Sequence, residues 1–194
     1  MKHFSELSPT ASRVVDVAEA LIQRQGYSGF SIDDVAVEVG IKKPSVHHHF
    51  ATKSGLVCTV VERYTHRFGA ELSRIAAIHG KATARLKAYV ELFASTFAQD
   101  RRLCVCGMLG AESDSLPAEV VAQVDQFFRV NLDWLATTIA DGQHAGLLRR
   151  KPAAAALAAA FLSALEGAMV MGRGTQGLHG PTEIGHTVLA LVLA

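Results

Sequence analysis

Apolar positions recur at three- and four-residue spacing along most of the chain, and the runs that carry them stop at glycine or proline. Val14, Ala18, Leu21 and Ile22 share one helical face. A first helix is therefore predicted from Ser8-Pro9, with serine as cap and proline in the first turn, to Gly26. After the turn Tyr27–Phe30, Ser31 and Asp34 stand at capping-box spacing ahead of Ile32, Val35, Ala36 and Val39. Gly40 stops that short helix, with Ile41 as a buried turn residue, and a third runs from Lys43-Pro44 to Phe50. Thr52 is placed to cap a fourth, which starts at Lys53, carries Leu56, Val60, Tyr64 and Arg67 on helical spacing and extends to Ile78. Further helices are predicted at 81–99, 103–113, 117–142, 152–172 and 182–194, with Pro117 and Pro152 in first turns. Alternating β-branched runs are scarce, so the fold class is all-α.

Residues 31–50, SIDDVAVEVGIKKPSVHHHF, place two short helices on either side of a glycine turn. That is the spacing of a helix-turn-helix, in which the first helix crosses the DNA backbone and the second enters the major groove. Val35, Ala36, Val39, Ile41, Val46 and Phe50 are expected to form the small core that fixes the angle between them. The chain divides into a three-helix head over 1–55 and a helical effector-binding and dimerisation domain over 56–194, with no flexible linker between them.

Composition narrows the reading. The 194 residues are 49% hydrophobic and 19% charged, which supports a real core and argues against disorder. The net charge of +1 does not by itself advertise nucleic-acid binding. Residues 1–55 hold six Lys/Arg (2, 13, 24, 42, 43, 53) and six acids (6, 16, 19, 33, 34, 38). Any DNA-attracting field must therefore be local, built from the lysines at the turn and third helix, while acids occupy the second. The opening MKHFSELSPT has no apolar stretch of secretory length. Ala153–Leu165 is uncharged but too short to span a bilayer. Three cysteines, an odd number, suit a reducing compartment. A cytoplasmic protein with no membrane association is expected.

The stretch from Gly26 to Leu56 resembles the DNA-binding domain of the TetR family of transcriptional regulators. The resemblance rests on Gly26-Tyr27, Ser31, Val35-Ala36, Gly40-Ile41, His49-Phe50, and Lys53 with Leu56. It covers about fifty N-terminal residues closely; the remainder matches in length and helical pattern. Two positions depart from the common pattern: Lys42 stands where a serine often precedes the recognition helix, and His47 where an aromatic often stands. The resemblance implies that Ser31, Lys42, Lys43, Pro44, Ser45, His47, His48, His49 and Lys53 serve double-stranded DNA. The lysines would pair with phosphates, and Ser45 and the histidines with phosphates or base edges. Three consecutive histidines point about 100° apart and cannot close on one ion, so no metal and no cofactor are expected.

In the C-terminal part, Phe93, Phe97, Cys104, Met108, Phe127, Phe128, Trp134 and Met169 are candidates to line a pocket for a small, mostly apolar effector. Each taken singly reads equally as core. Cys104 and Cys106 have three open readings: packed thiols, ligand contacts, or an oxidant- or electrophile-responsive pair, with Arg101 and Arg102 nearby to lower a thiol pKa. They cannot join within one helix. The helix after Pro152 is apolar nearly all round, with Leu157, Phe161, Leu162, Leu165, Ala168 and Met169, as is the last, Val188–Leu193. Such helices call for burial on all sides and hence for a second subunit, approached closely at Ala160, Ala164 and Gly167. The glycine-rich segment Gly172–Gly180 is expected to be an exposed loop. Phosphate-binding loops, nucleophile elbows and paired carboxylates are absent from the sequence, so an enzyme is not expected. The implied activity is a ligand-responsive DNA-binding regulator, most simply a homodimeric repressor that an effector releases from a palindromic operator. Activation rather than repression, or a purely structural helical dimer, would have the same pattern. An alternative sensor would use Cys104 and Cys106.

Overall fold

The computed structural model describes residues 6–176 and 179–194. Within them, α1 spans Pro9–Gln25, α2 Ile32–Val39, α3 Lys43–His49, α4 Lys53–Ile78 and α5 Ala82–Ala98. Then follow α6 Val105–Gly110, a 3-10 turn Ser113–Ser115, α7 Ala118–His144, α8 Ala154–Gly174 and α9 Pro181–Val192. The described residues contain no strand beyond an isolated bridge, Leu148 to Leu193.

The helix boundaries follow local chemistry. The Ser8 side chain accepts from the Ala11 amide at 3.3 Å, satisfying one orphan N–H at the start of α1. The Ser31 hydroxyl and the Asp34 carboxylate cap each other's backbone amides, a capping box that starts α2. Thr52 Oγ1 accepts from the Gly55 amide at 3.0 Å and starts α4. Gly40 ends α2 in the left-handed region (φ 76°, ψ 37°). There the Ile41 amide donates to Ala36 O and the Gly40 amide to Val37 O, a Schellman closure open to few residues but glycine.

Three expected elements shift. The helix predicted over 103–113 is shorter, because Asp100 and Arg101 turn through positive φ (57° and 52°), leaving Leu103 and Cys104 ahead of α6. Pro152 lies before α8 rather than in its first turn; the Gln143 side chain donates to the carbonyls of Arg149 and Pro152 in the approach. The expected 172–180 loop is partly helix: α8 continues to Gly174, and Gly172 is buried where an added Cβ would stand 2.9 Å from Phe97 Cζ. Gly177 and Leu178 of that loop, and residues 1–5 of the segment read as non-secretory, lie outside the described residues.

Two compact units result. The first holds residues 1–67 and 105–127, the second 68–104 and 128–194, so α4 and α7 each contribute to both. The expected division at 55/56 therefore differs from the packing: α6 and the start of α7 belong with the N-terminal helices. In the first unit α1 packs on α2, α3 and α6. Its core is Val14, Val15, Ala18, Ile22, Val35, Val46, Leu56, Val57, Val60 and Val61, each 0% exposed. Salt bridges from Arg63 to Asp16 (2.7 Å) and Glu19 (3.1 Å), and from Arg67 to Glu19 (2.6 Å), fasten α4 to α1. In the second unit α9 packs on α5 and α8. Gly185 makes the close approach possible, since a Cβ there would stand 2.6 Å from Val90 and 2.9 Å from Leu165.

α8 departs from the expectation of a segment too short for a bilayer. An 18-residue stretch of this 21-residue helix reaches a mean hydropathy of 1.8, enough by length and composition alone to cross one. It buries Ala158, Phe161, Leu162, Leu165, Ala168, Met169 and Gly172 within the chain. Val170 and Met171 remain 59% and 58% exposed on it, and Leu191 65% exposed on α9.

Candidate nucleic-acid interface

The core of the head determines what α3 can offer. Val46 is its sole buried residue and Phe50 its buried successor; together with Val35, Ala36 and Val39 they pin α3 against α2 and α1. Ile41, expected to be buried, is half-buried. One anchored position leaves the remainder of a seven-residue helix facing outward. Lys42, Lys43, Pro44, Ser45, His47, His48 and His49 are all exposed. Pro44 stands in the first turn, where its missing N–H costs nothing. Lys42 is the N-cap residue and supplies no side-chain cap; its carbonyl accepts from the Ser45 amide at 2.8 Å.

The exposed groups are already partly engaged. Lys43 Nζ bridges Asp33 of α2 at 2.7 Å; both side chains are at least half exposed, so the pair is weak and exchangeable. His47 Nδ1 lies 3.3 Å from Ala51 O, and the His48 and His49 rings meet edge to face at 5.3 Å. Ser31 is exposed, but its hydroxyl is committed to the α2 cap.

Lys53 sits differently from the phosphate-pairing role expected of it. Its ammonium donates to the carbonyls of Tyr27 (2.5 Å) and Phe30, and lies 4.3 Å and 4.2 Å from the centroids of their rings. Burial pushes its pKa down, and Glu112 and Asp34 pull it back up. Glu112 completes the arrangement: Oε1 accepts from the Tyr27 amide at 2.7 Å and Oε2 from the Ser28 amide at 2.9 Å. Its partial burial favours the neutral acid, but these bonds and the Lys53 charge outweigh that and hold its pKa below the usual value. Gly26 permits the approach, since a Cβ there would stand 1.9 Å from Glu112 Oε1. The turn leading into α2 is thus clamped by a cation from α4 and an anion that follows α6. Glu112 lies 85 residues from Tyr27 in sequence, and no local pattern signals their meeting.

The expected effector-pocket residues do not form one group. Met108 and Phe127 belong to the first unit: Met108 Cε would lie 3.6 Å from a Cβ at Gly26, and the Phe127 ring lies 5.4 Å from that of Tyr64. Phe93, Phe97, Cys104, Phe128, Trp134 and Met169 belong to the second. There the organising residue is Tyr89, which the sequence reading did not single out. Tyr89 is 0% exposed and donates to Asn131 Oδ1 at 2.8 Å. Its ring stacks on Trp134 (5.5 Å, 17°) and meets Phe93 (5.4 Å), Phe68 (6.1 Å) and Phe161 (6.3 Å). Phe97 fills the space beside Gly172 and Gly180. Cys104 and Cys106 are 1% and 0% exposed and not disulfide-bonded. Glu166, a half-buried acid in the apolar α8, shares a hydrogen bond with the Cys104 thiol, and desolvation lifts its pKa to about 7.

Comparison with known proteins agrees with the head geometry and extends beyond it. The family model for bacterial regulatory proteins of the tetR family matches residues 14–58, and that for the tetracyclin repressor-like C-terminal domain matches 82–178. A transcriptional regulator of the TetR family from Agrobacterium tumefaciens is 33% identical, with a TM-score of 0.88 over 95% of this chain and 98% of that one. A TetR transcriptional regulator from Legionella pneumophila is 26% identical, with a TM-score of 0.86 over 96% and 99%. The biofilm operon icaADBC HTH-type negative transcriptional regulator IcaR of Staphylococcus aureus is 39% identical over 44 residues. That match spans 23% of this chain and only 24% of the relative.

Proposed function

This chain belongs to the TetR family of bacterial regulatory proteins, and from that premise we propose that it is a homodimeric repressor released from a palindromic operator by a small effector. The observation that carries the reading is α3: one buried anchor, Val46, and an exposed set of Lys42, Lys43, Ser45 and His47–His49. A recognition helix needs that division, with a fixed angle on one side and donors free for phosphates and base edges on the other. Lys42 and Lys43 supply phosphate contacts; Lys43 exchanges Asp33 for phosphate at little cost, because an exposed pair is worth about 1 kcal/mol or less. Ser45 and the histidines supply base discrimination. Lys53 and Ser31 act through the fold of the head rather than by touching DNA. The similarity of the head to a negative regulator supports repression.

Dimerisation rests on α8 and α9. Ala160 is exposed, Ala164 and Gly167 are half-buried, and a Cβ at Gly167 would meet nothing within 4 Å. A small-residue face beside exposed Val170, Met171 and Leu191 suits a helix pair from a second copy. A two-fold dimer presents two recognition helices to successive major grooves and so reads an inverted repeat. The effector acts by binding the DNA-incompetent arrangement more tightly, with a coupling of roughly 1–3 kcal/mol. The protein works in the cytoplasm, without membrane insertion and without catalysis. Sensing through Cys104 and Cys106 is the weaker reading, because both thiols are buried from an attacking oxidant.

Selection from a randomised duplex pool at two salt concentrations tests the proposal. An inverted repeat is expected, with affinity falling steeply as salt rises and lost in Lys42→Ala and His47→Ala proteins of unchanged helicity. Absence of any enriched sequence at low salt would overturn it.

A further inference from the structure

The fold ties down the ring of His47 in α3. Its Nδ1 lies 3.3 Å from the carbonyl oxygen of Ala51, between α3 and α4. A carbonyl oxygen can only accept, so the contact is a hydrogen bond when Nδ1 carries the proton. A neutral His47 then has its lone pair on Nε2, across the ring, and can only accept there. Protonation leaves the Ala51 bond in place and turns Nε2 into a donor. The side chain is exposed, one helical turn after Lys43 and on the same face. The same ring in the same orientation thus offers DNA an acceptor or a donor, and one proton decides which.

Charge placement decides for the donor. The acids on the helices packed against α3 are engaged elsewhere. On α2, Asp33 pairs with Lys43 at 2.7 Å, Asp34 accepts from the Ser31 amide at 2.7 Å and Glu38 pairs with Arg24 at 2.8 Å. On α1, Asp16 and Glu19 hold Arg63, and Arg13 donates to Val39 O. Among the described residues no acid of α1 or α2 is bonded to His47. The other charges nearby are cations: Lys42 and Lys43 on α3 itself, and Lys53, whose ammonium the Tyr27 and Phe30 carbonyls hold. A duplex supplies the missing counter-charge, about one negative charge per 1.7 Å of its axis. Histidine is the side chain type that changes charge between about pH 5 and 8, so the proton is within reach. We propose that His47 meets the operator as an imidazolium: binding takes up a proton from solvent there, and Nε2–H donates to N7 of a guanine. Both purines present N7, but guanine sets a second acceptor, O6, beside it where adenine sets an amino donor. A neutral His47, accepting at Nε2, would select the amino group of adenine or cytosine instead. This deepens the repressor reading and rests on it for the existence of an operator. Binding that takes up a proton strengthens as pH falls and weakens as pH rises.

The test selects duplexes with the full chain from a randomised pool at pH 6 and pH 8, at matched ionic strength, and follows the enriched duplex by fluorescence anisotropy across that range. Affinity at pH 6 should exceed that at pH 8 by about threefold to tenfold, within the limit of about tenfold per pH unit that one proton sets. The position whose preference relaxes in His47→Ala should be a guanine, and 7-deazaguanine there, which lacks N7, should weaken wild type but not His47→Ala. His47→Gln is neutral at both pH values and carries a donor beside an acceptor; it should lose most of the pH dependence and move that position towards adenine. His144→Gln, an exposed histidine at the end of α7, should keep both the affinity and its pH dependence. Helicity verifies that each variant folds. An affinity that does not change with pH, a pH dependence as large in His47→Gln as in wild type, or a base other than guanine at the His47 position would each overturn the proposal and leave the repressor reading standing. Absence of any enriched duplex at either pH would overturn both.

Discussion

Removing the Glu112 carboxylate should loosen the head while leaving every helix cap intact. The carboxylate accepts from two backbone amides, Tyr27 at 2.7 Å and Ser28 at 2.9 Å, and faces the Lys53 ammonium that holds the Tyr27 and Phe30 carbonyls. A hydrogen bond to a charged acceptor contributes roughly 1.5–3 kcal/mol when buried. The Tyr27 bond is partly buried and the Ser28 bond exposed, so about 2 kcal/mol for the first and about 1 for the second is the fair assignment after solvent screening. Glu112→Ala is therefore expected to cost about 3 kcal/mol, and Glu112→Gln, which keeps one carbonyl acceptor but no charge, about 1–2 kcal/mol. The pH dependence gives a second handle. Because the folded carboxyl has a pKa below the ordinary 4.5, its contribution is present above that value and lost as pH falls through the lower folded one. Urea unfolding at one fixed chain concentration, at pH 7 and at about pH 3, measures both. The gap between wild type and Glu112→Gln should narrow at the lower pH. A loss under about 0.5 kcal/mol for Glu112→Ala, or a gap that does not change with pH, would refute the assignment of the clamp to this charge.

Other outcomes follow from the same physical terms. Gly26→Ala should cost more than Glu112→Ala, because the strain of an alanine at φ 74° adds to the clash of its methyl 1.9 Å from Oε1; in the double variant only the clash should be relieved, and a double-mutant cycle in urea measures this. Glu166, with a folded pKa of about 7 against an ordinary 4.5, gives the folded state an advantage at low pH that is lost as pH rises from 4.5 through 7. Glu166→Gln should accordingly be more stable than wild type at pH 8, by up to about 3 kcal/mol, with the difference shrinking towards pH 5; thermal unfolding across that range decides it. Asp33→Asn frees Lys43 and removes a charge facing phosphate, so operator affinity at low salt should rise by about three- to tenfold and the salt slope should steepen, as read by fluorescence anisotropy. Ser31→Ala should lose about 1 kcal/mol of stability without changing operator preference, if the hydroxyl serves the cap rather than the DNA.

The sequence by itself determined what is settled within a few residues of chain. The Ser8, Ser31 and Thr52 caps, the Gly26 and Gly40 stops and the face of Val35, Ala36 and Val39 could be read directly, because a cap or a helical stripe is an interaction over three or four positions. The motif from Gly26 to Leu56 carried the family for the same reason. Other features depend on distant partners. Lys53 reads as a phosphate contact in the sequence, and the carbonyls of Tyr27 and Phe30, 26 and 23 residues away, are what the fold places around its ammonium. The aromatic and sulfur residues of the C-terminal part read as one lining, yet packing assigns Met108 and Phe127 to the first unit and the others to the second, where Phe93 and Trp134 pack on Tyr89. That Oε1 of Glu166 is closed from water follows from what α8 packs against, not from the sequence around it. Side-chain type and spacing record the backbone's local conformation, whereas the charge state and partner of a side chain depend on groups that only the folded chain brings within a few ångströms.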